Sequence, residues 1–109
     1  MLIVFTTTSD ESKGTALAEK LVEAKLAACV QIVPQITSVY FWEGKVQKED
    51  EQLLLIKTSE DTYLELEKFI SENHSYDVPE IVAVRAENIA APYRRWLDEY
   101  LAVPLEDKS

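Results

Sequence analysis

The sequence predicts an α+β sandwich in which helices cover one face of an antiparallel sheet. Three observations carry this reading. Apolar, β-branched runs alternate with helical patterns in the order strand, helix, strand, strand, helix, strand, helix. The two middle strands follow each other with a turn glycine, Gly44, as in a hairpin. The run Leu53, Leu54, Leu55, Ile56 is apolar at every position, and successive strand side chains point to opposite faces, so both sides of that strand need cover. Helices can bury one side. A second layer of protein on the other exceeds what a chain of 109 residues supplies.

Each element has a local reason. MLIVFTTT is a β-branched opening strand that ends near Thr8. SDESKGTALAEKLVEAKLAA places Leu17, Leu21 and Ala24 at helical spacing, with Ser9 or Asp10 as N-cap, Glu11 in the first turn and Gly14 as a slight weakness there. CVQIVPQITSVYFWEG reads as a strand with a bulge or bend at Pro34. It forms one arm of a long hairpin from about Ile36 to Lys57, with KVQKEDEQ polar and solvated between the arms. Thr58 and Asp61 have capping-box spacing before a second helix whose stripe is Tyr63, Leu66 and Ile70. HSYDVPE is a loop and IVAVRAE a fourth strand. A third helix starts near Pro92 and aligns Tyr93, Trp96, Leu97, Tyr100 and Leu101. The chain is expected to be one domain over 1–109, with a frayed tail from about residue 102.

The first six elements form a ferredoxin-like βαββαβ sandwich with a long central hairpin, and the seventh is an extra C-terminal helix. One face of such a sheet is bare. Leu53 and Leu55, or Leu54 and Ile56, would face water together with Tyr40 and Phe41, and an apolar patch of that kind marks an interface. The economical cover is further copies of the same chain in closed cyclic symmetry, with the hairpins pairing edge to edge.

Composition narrows the function. Eleven basic against twenty acidic residues give a net charge of −9, which repels a phosphate backbone and argues against nucleic-acid binding. No run of roughly 18 apolar residues is present, and the single cysteine forms no internal disulfide. The chain begins directly with a strand and lacks a basic leader, so a cytoplasmic protein without membrane attachment is expected. With Gly14 and Gly44 as the only glycines there is no phosphate-cradling loop. One His and one Cys cannot build a closed zinc site within one chain.

His74 stands out, in a Pro-bounded loop near Tyr76, Asp77 and Glu80, where an imidazole could serve as metal ligand or proton shuttle. The alternative is a helix-terminal histidine that answers the open carbonyls of the second helix. Cys29, between alanines and a valine, reads as small-residue packing, with thiolate ligation as its alternative. Glu43, Glu49, Asp50 and Glu51 gather along the hairpin, either as a solvated face or as oxygen donors for hard cations or copper. Trp42, Tyr40 and Phe41 suit an interface better than base stacking, because no Arg or Lys interleaves with them. Lys57, emerging from an apolar run, calls for a carboxylate partner, with Glu80 as candidate.

Four segments carry a wider resemblance: LVEAKLAACVQIVPQITSVYFWEGKV, Lys57–Thr58, HSYDVPEIVAV and Tyr93–Trp96. In order and spacing, from Met1 to about Leu101, they closely resemble the CutA divalent-cation tolerance proteins. The resemblance implies a ferredoxin-like fold related to PII signalling proteins, a tight homotrimer, a bacterial cytoplasmic location and an association with copper and other divalent metals. There are departures. His74-Ser75-Tyr76 stands where members commonly read His-Pro-Tyr, Gln31 stands where they have Asn, and ENIAAPY lacks a glycine often found there. Metal sites of some members use a cysteine near the end of the first strand and adjacent histidines, where this chain has Thr6, Asn73 and His74. Cys29 matches the family's recurrent cysteine.

The function expected is therefore a non-enzymatic trimeric binding protein of divalent-cation tolerance, with copper(II) or another divalent cation as ligand. His74 and Cys29 are the candidate metal ligands. Lys57, Tyr76, Glu80 and Trp42 are expected to line clefts between copies, and Tyr40, Phe41, Leu53 and Leu55 the trimer interface. A PII-like signalling adaptor is the alternative. An enzyme built on His74 lacks a nucleophile, an orienting group and a cofactor cradle. Resistance to heat is expected if the trimer forms.

Overall fold

The computed structural model describes residues 1–102. The elements are β1 (Leu2–Thr8), α1 (Glu11–Glu23), β2 (Cys29–Trp42), β3 (Lys45–Thr58), a 3-10 turn (Glu60–Thr62), α2 (Tyr63–Asn73), β4 (Val82–Arg85) and α3 (Ala91–Ala102). The strands lie in the order β2-β3-β1-β4, and every pairing is antiparallel. This is the expected sandwich, with α3 as its added helix. Ala102 closes α3, and the rest of the expected frayed tail lies outside the described residues.

Asp10 caps α1: its Oδ1 accepts from the Lys13 N–H at 2.8 Å and from the Ser12 hydroxyl at 2.9 Å. These two donors hold its carboxyl below the usual carboxylate range. At the other end Lys25 takes a left-handed φ of 61°. Its N–H donates to Val22 O and the Leu26 N–H to Leu21 O, a Schellman ending that normally selects glycine. Lysine is used because its side chain reaches α3: Nζ donates to Tyr100 O at 3.0 Å and lies 3.3 Å from the Tyr100 ring centroid. The Tyr100 hydroxyl returns a hydrogen bond of 2.6 Å to Val22 O, so both ends of this contact fasten α3 to the α1–β2 corner.

Gly14 has a different role from the weak helix start expected. A Cβ there would lie 2.8 Å from Thr8 Oγ1 and 3.5 Å from Leu54 Cδ1, so α1 approaches the sheet only because the side chain is missing. Gly14→Ala gains up to about 1 kcal/mol of helix propensity. It forces a stiff, buried threonine aside at about 1–3 kcal/mol. The expected net effect is a lower urea midpoint with an unchanged slope.

Leu54 and Ile56 point to the helices and are fully buried with Val4, Leu21, Leu66 and Ile70, whereas Leu53 and Leu55 lie on the opposite face. Register identifies their neighbours there. Leu55 sits between Gln31 and Phe5, Phe5 faces Val82, and Ile3 lies between Lys57 and Val84. Among the described helices only α3 reaches this side, where Tyr93 meets Lys57 at one end, and Val82 and Val84 are 51% and 44% exposed.

The hairpin is longer than expected. KVQKEDEQ, expected to be solvated between the arms, is the first half of β3, and the turn is only Glu43–Gly44, both with positive φ. A tight two-residue turn of this hand continues the strand twist, so pairing begins at once with Trp42 opposite Lys45. Pro34 creates the irregularity expected of it: the register slips between Val33 and Ile36, and Gln52 Nε2 donates to Pro34 O at 3.2 Å. The slip also changes which residues share a face. Beyond it Tyr40 and Trp42 fall on the side of Glu49 and Glu51, and Val39, Phe41 and Val46 on the other. Past Thr8, which faces Gln52, the hairpin has no third strand among the described residues, and Phe41 is 70% exposed.

The expected capping box also differs. Thr58 ends β3 and is buried, and its hydroxyl donates to Leu26 O at 2.8 Å. It fastens the α1–β2 connection, leaving Ser59 and Thr62, whose hydroxyls meet at 2.7 Å, to open the 3-10 turn.

Candidate functional site

Two polar clusters punctuate the uncovered side of the sheet, one at each end of β1. The first forms where Cys29, Lys57 and Ile3 are in register. Lys57 Nζ donates to Gln31 Oε1 at 2.6 Å and lies 5.8 Å from the Tyr93 ring centroid. The expected Glu80 partner is not used. Glu80 is exposed in the α2–β4 loop, and register brings Gln31 to the ammonium instead. The Tyr93 phenol is raised above the usual tyrosine range by burial first and by the Cys29 thiol beside it second. Trp96, one turn along α3, has its ring 5.6 Å from that of Tyr93. The cluster is therefore a thiol, an ammonium, an amide and two aromatic rings.

The second cluster is built by His74, the residue that ends α2. Its Nδ1 accepts the Tyr76 N–H at 3.0 Å, and its Nε2 donates to Thr7 O at 2.6 Å, the tautomer that the first bond requires. His74 thus ties the α2–β4 loop to the end of β1. The carbonyls of α2, its expected partners in the helix-terminal reading, are approached by Asn73 instead, whose Nδ2 donates to Phe69 O. The Tyr76 ring packs 4.8 Å from the imidazole, and its hydroxyl donates to Glu51 Oε2 at 2.6 Å. Burial, then this hydrogen bond and the charges of Glu51 and Glu49, push the Tyr76 phenol well above the usual range. Glu51, expected on a solvated hairpin face, is only 6% exposed, because the loop folds Tyr76 over it. The signal for this was its alternation with Leu53 and Leu55, which places all three on one face.

Tyr76→Phe should leave a buried carboxylate without its donor and cost about 1–3 kcal/mol in denaturant unfolding. The same bond has a pH signature. The folded chain holds the Tyr76 proton more tightly than the unfolded chain, so the stability this gives is complete below about pH 10 and is lost as pH rises through the folded value. Tyr76→Phe should flatten that alkaline loss.

One protomer does not gather the expected ligands. Cys29 is in register with Lys57, and His74 bonds to Thr7, which is in register with Leu53, so the two lie four strand residues or about 13 Å apart along the sheet. Lys57 and Tyr76 fall in different clusters, and Trp42 is at the hairpin tip, its Nε1 donating to Glu43. Among the described residues no three of His, Cys, Asp and Glu converge as a cation site. Both His74 nitrogens are already bonded, so a cation there would displace one partner. The described residues of a single chain do not fit a closed metal centre.

A sequence model of the CutA1 divalent ion tolerance proteins matches residues 2–100, almost the whole described chain. The chain belongs to the CutA1 family. A Thermus thermophilus divalent-cation tolerance protein CutA is 41% identical over 97 residues, 89% of this chain and 94% of that protein. The solved structure of a T. thermophilus CutA1 superimposes with a TM-score of 0.88 at 40% identity, covering 92% of this chain and 98% of that one. The rice CutA1 structure gives 0.89 at 43% identity, covering 91% of each. An Arabidopsis thaliana protein named CutA, chloroplastic, is 45% identical over 88% of this chain but 53% of its own length, so the chain spans about half of such plant relatives. An Archaeoglobus fulgidus CutA structure carries the word periplasmic, so the names of CutA1 relatives point to more than one compartment. No helix among the described residues is long and apolar enough to cross a membrane.

Proposed function

We propose that this CutA1 chain is a single-domain, non-enzymatic binding protein of divalent-cation tolerance that works as a cytoplasmic homotrimer. The observation that carries the reading is the uncovered sheet face: Ile3, Phe5, Leu53, Leu55, Val82 and Val84 form a continuous apolar surface, extended by a hairpin that is apolar on both sides. Three copies closed around an axis cover it without leaving an open edge. The crevices between copies then bring the Cys29–Lys57 end of one protomer near residues of the next, where Tyr76, Glu80 and Trp42 complete the lining. The divalent cation is cargo in this reading. It is held weakly at Cys29 or at His74, each completed by ligands from a neighbouring copy, and copper(II) leads because it heads the divalent affinity order.

Two measurements test it. Sedimentation should give a trimer at micromolar concentration, and the unfolding temperature should be high and rise with protomer concentration. A well-folded single protomer, or a concentration-independent transition, removes the assembly. Calorimetric titration with copper(II), zinc(II) and nickel(II) should favour copper, and Cys29→Ser with His74→Ala should abolish the preference. Unchanged binding by that double variant removes the two ligands while leaving the trimer standing.

A further inference from the structure

The helical side of the molecule carries a groove that meets the second cluster only at His74, which forms part of its wall. It has a volume of about 330 Å³ and runs between α1 and the end of α2, with Thr8, Lys13, Ala16, Lys20, Glu72 and Ser75 among its walls. Lys13 and Lys20 are two helical turns apart, about 10.5 Å along the axis, and Ala16 between them leaves the helix surface low enough for a molecule to lie against it. Two ammonium groups against the single Glu72 carboxylate make the walls net positive on a chain whose net charge is −9. Neither ammonium is firmly engaged. Lys13 Nζ has only Ser9 Oγ at 3.4 Å and Asp10 Oδ2 at 4.0 Å, and the Lys20 ammonium makes no hydrogen bond or ion pair with another described residue. The hydroxyl of Ser75 adds a donor at the same place, whereas that of Thr8 is turned to Asp10 O and Gln52 Oε1.

We infer that this groove binds a small dicarboxylate, each lysine answering one carboxylate and Glu72 leaving a place for an ammonium on the same molecule. An acidic amino acid, with two negative groups and one positive, mirrors the charges of the walls. Lys13, Lys20 and Glu72 lie on the helices, away from the proposed assembly surface, and only His74 is shared with the proposed cation ligands, so a probe in metal-free buffer tests the groove apart from that reading.

The experiment is an amide NMR titration of the full chain in metal-free buffer at constant ionic strength, using glutarate, L-glutamate and inorganic phosphate as probes. Glutarate should give saturable shifts confined to the amides of Thr8, Lys13, Ala16, Lys20 and Ser75. Lys13→Gln or Lys20→Gln should each weaken binding by up to about fivefold, the upper end for single exposed charge pairs. L-Glutamate should bind more tightly than glutarate, and Glu72→Gln should erase that advantage while leaving glutarate at least as well bound. The double variant Lys13→Gln/Lys20→Gln, altered only at exposed positions, should keep the wild-type spectrum elsewhere and lose the response. No saturation by glutarate at tens of millimolar, an undiminished response in the double variant, or phosphate matching glutarate through plain screening would each overturn the proposal.

Discussion

Leu55→Glu is expected to sediment as a folded single protomer at micromolar concentration, where the wild-type chain is expected to be a trimer. Leu55 lies mid-face, with Gln31 on one side and Phe5 on the other, and its side chain points away from the helices. In an isolated protomer the new carboxylate meets water and costs little. Between copies the same carboxylate must be stripped of water beside Phe5 and its neighbours, and the Lys57 ammonium two residues along the strand, already bonded to Gln31, offsets only part of that cost. The effect on assembly should reach at least about two orders of magnitude in the association constant, about 3 kcal/mol. Val84→Glu, at a side chain already 44% exposed in the protomer, should act in the same direction and bears less on protomer folding. Trimers undiminished in both variants would show that this face is not where copies meet.

The order of elements was legible because each rests on local chemistry. Asp10 caps α1 as the spacing suggested, Leu66 and Ile70 form the buried stripe of α2, and Pro34 disturbs β2. The four-residue apolar run raised the right question, since Leu54 and Ile56 do face the helices while Leu53 and Leu55 do not. What escaped depends on register. KVQKEDEQ has no apolar alternation of its own and becomes a strand only because β2 lies beside it and a two-residue turn starts the pairing immediately. Lys57 meets Gln31 across the same ladder, a partner that no spacing along the chain reveals. The Tyr76–Glu51 bond joins residues far apart in sequence, through a loop that crosses the end of the sheet. Gly14 looked like a flaw in a helix because its reason, the closeness of Thr8, lies on another element.

Leu54→Ala should give the opposite result to Leu55→Glu, although the two residues are adjacent. Leu54 is fully buried between the sheet and the helices, in register with Thr6 on one side and Ile32 on the other. Its methyls pack where α1 comes closest, one of them 3.5 Å from where a Gly14 Cβ would be. Truncation removes the transfer free energy of the lost methyl and methylene groups and leaves a cavity. The surrounding chain closes that cavity poorly, because Gly14 is already held near Thr8 and cannot approach further. The expected loss is about 2–5 kcal/mol of protomer stability, well above that of Gly14→Ala or Tyr76→Phe. Because the side chain faces away from the uncovered surface, the stoichiometry of whatever remains folded should be unchanged. Denaturant unfolding followed together with sedimentation separates the two cases: Leu54→Ala should lower the midpoint and keep the trimer. A Leu54→Ala chain that dissociates before it unfolds would mean that the two faces of β3 are energetically coupled through the strand.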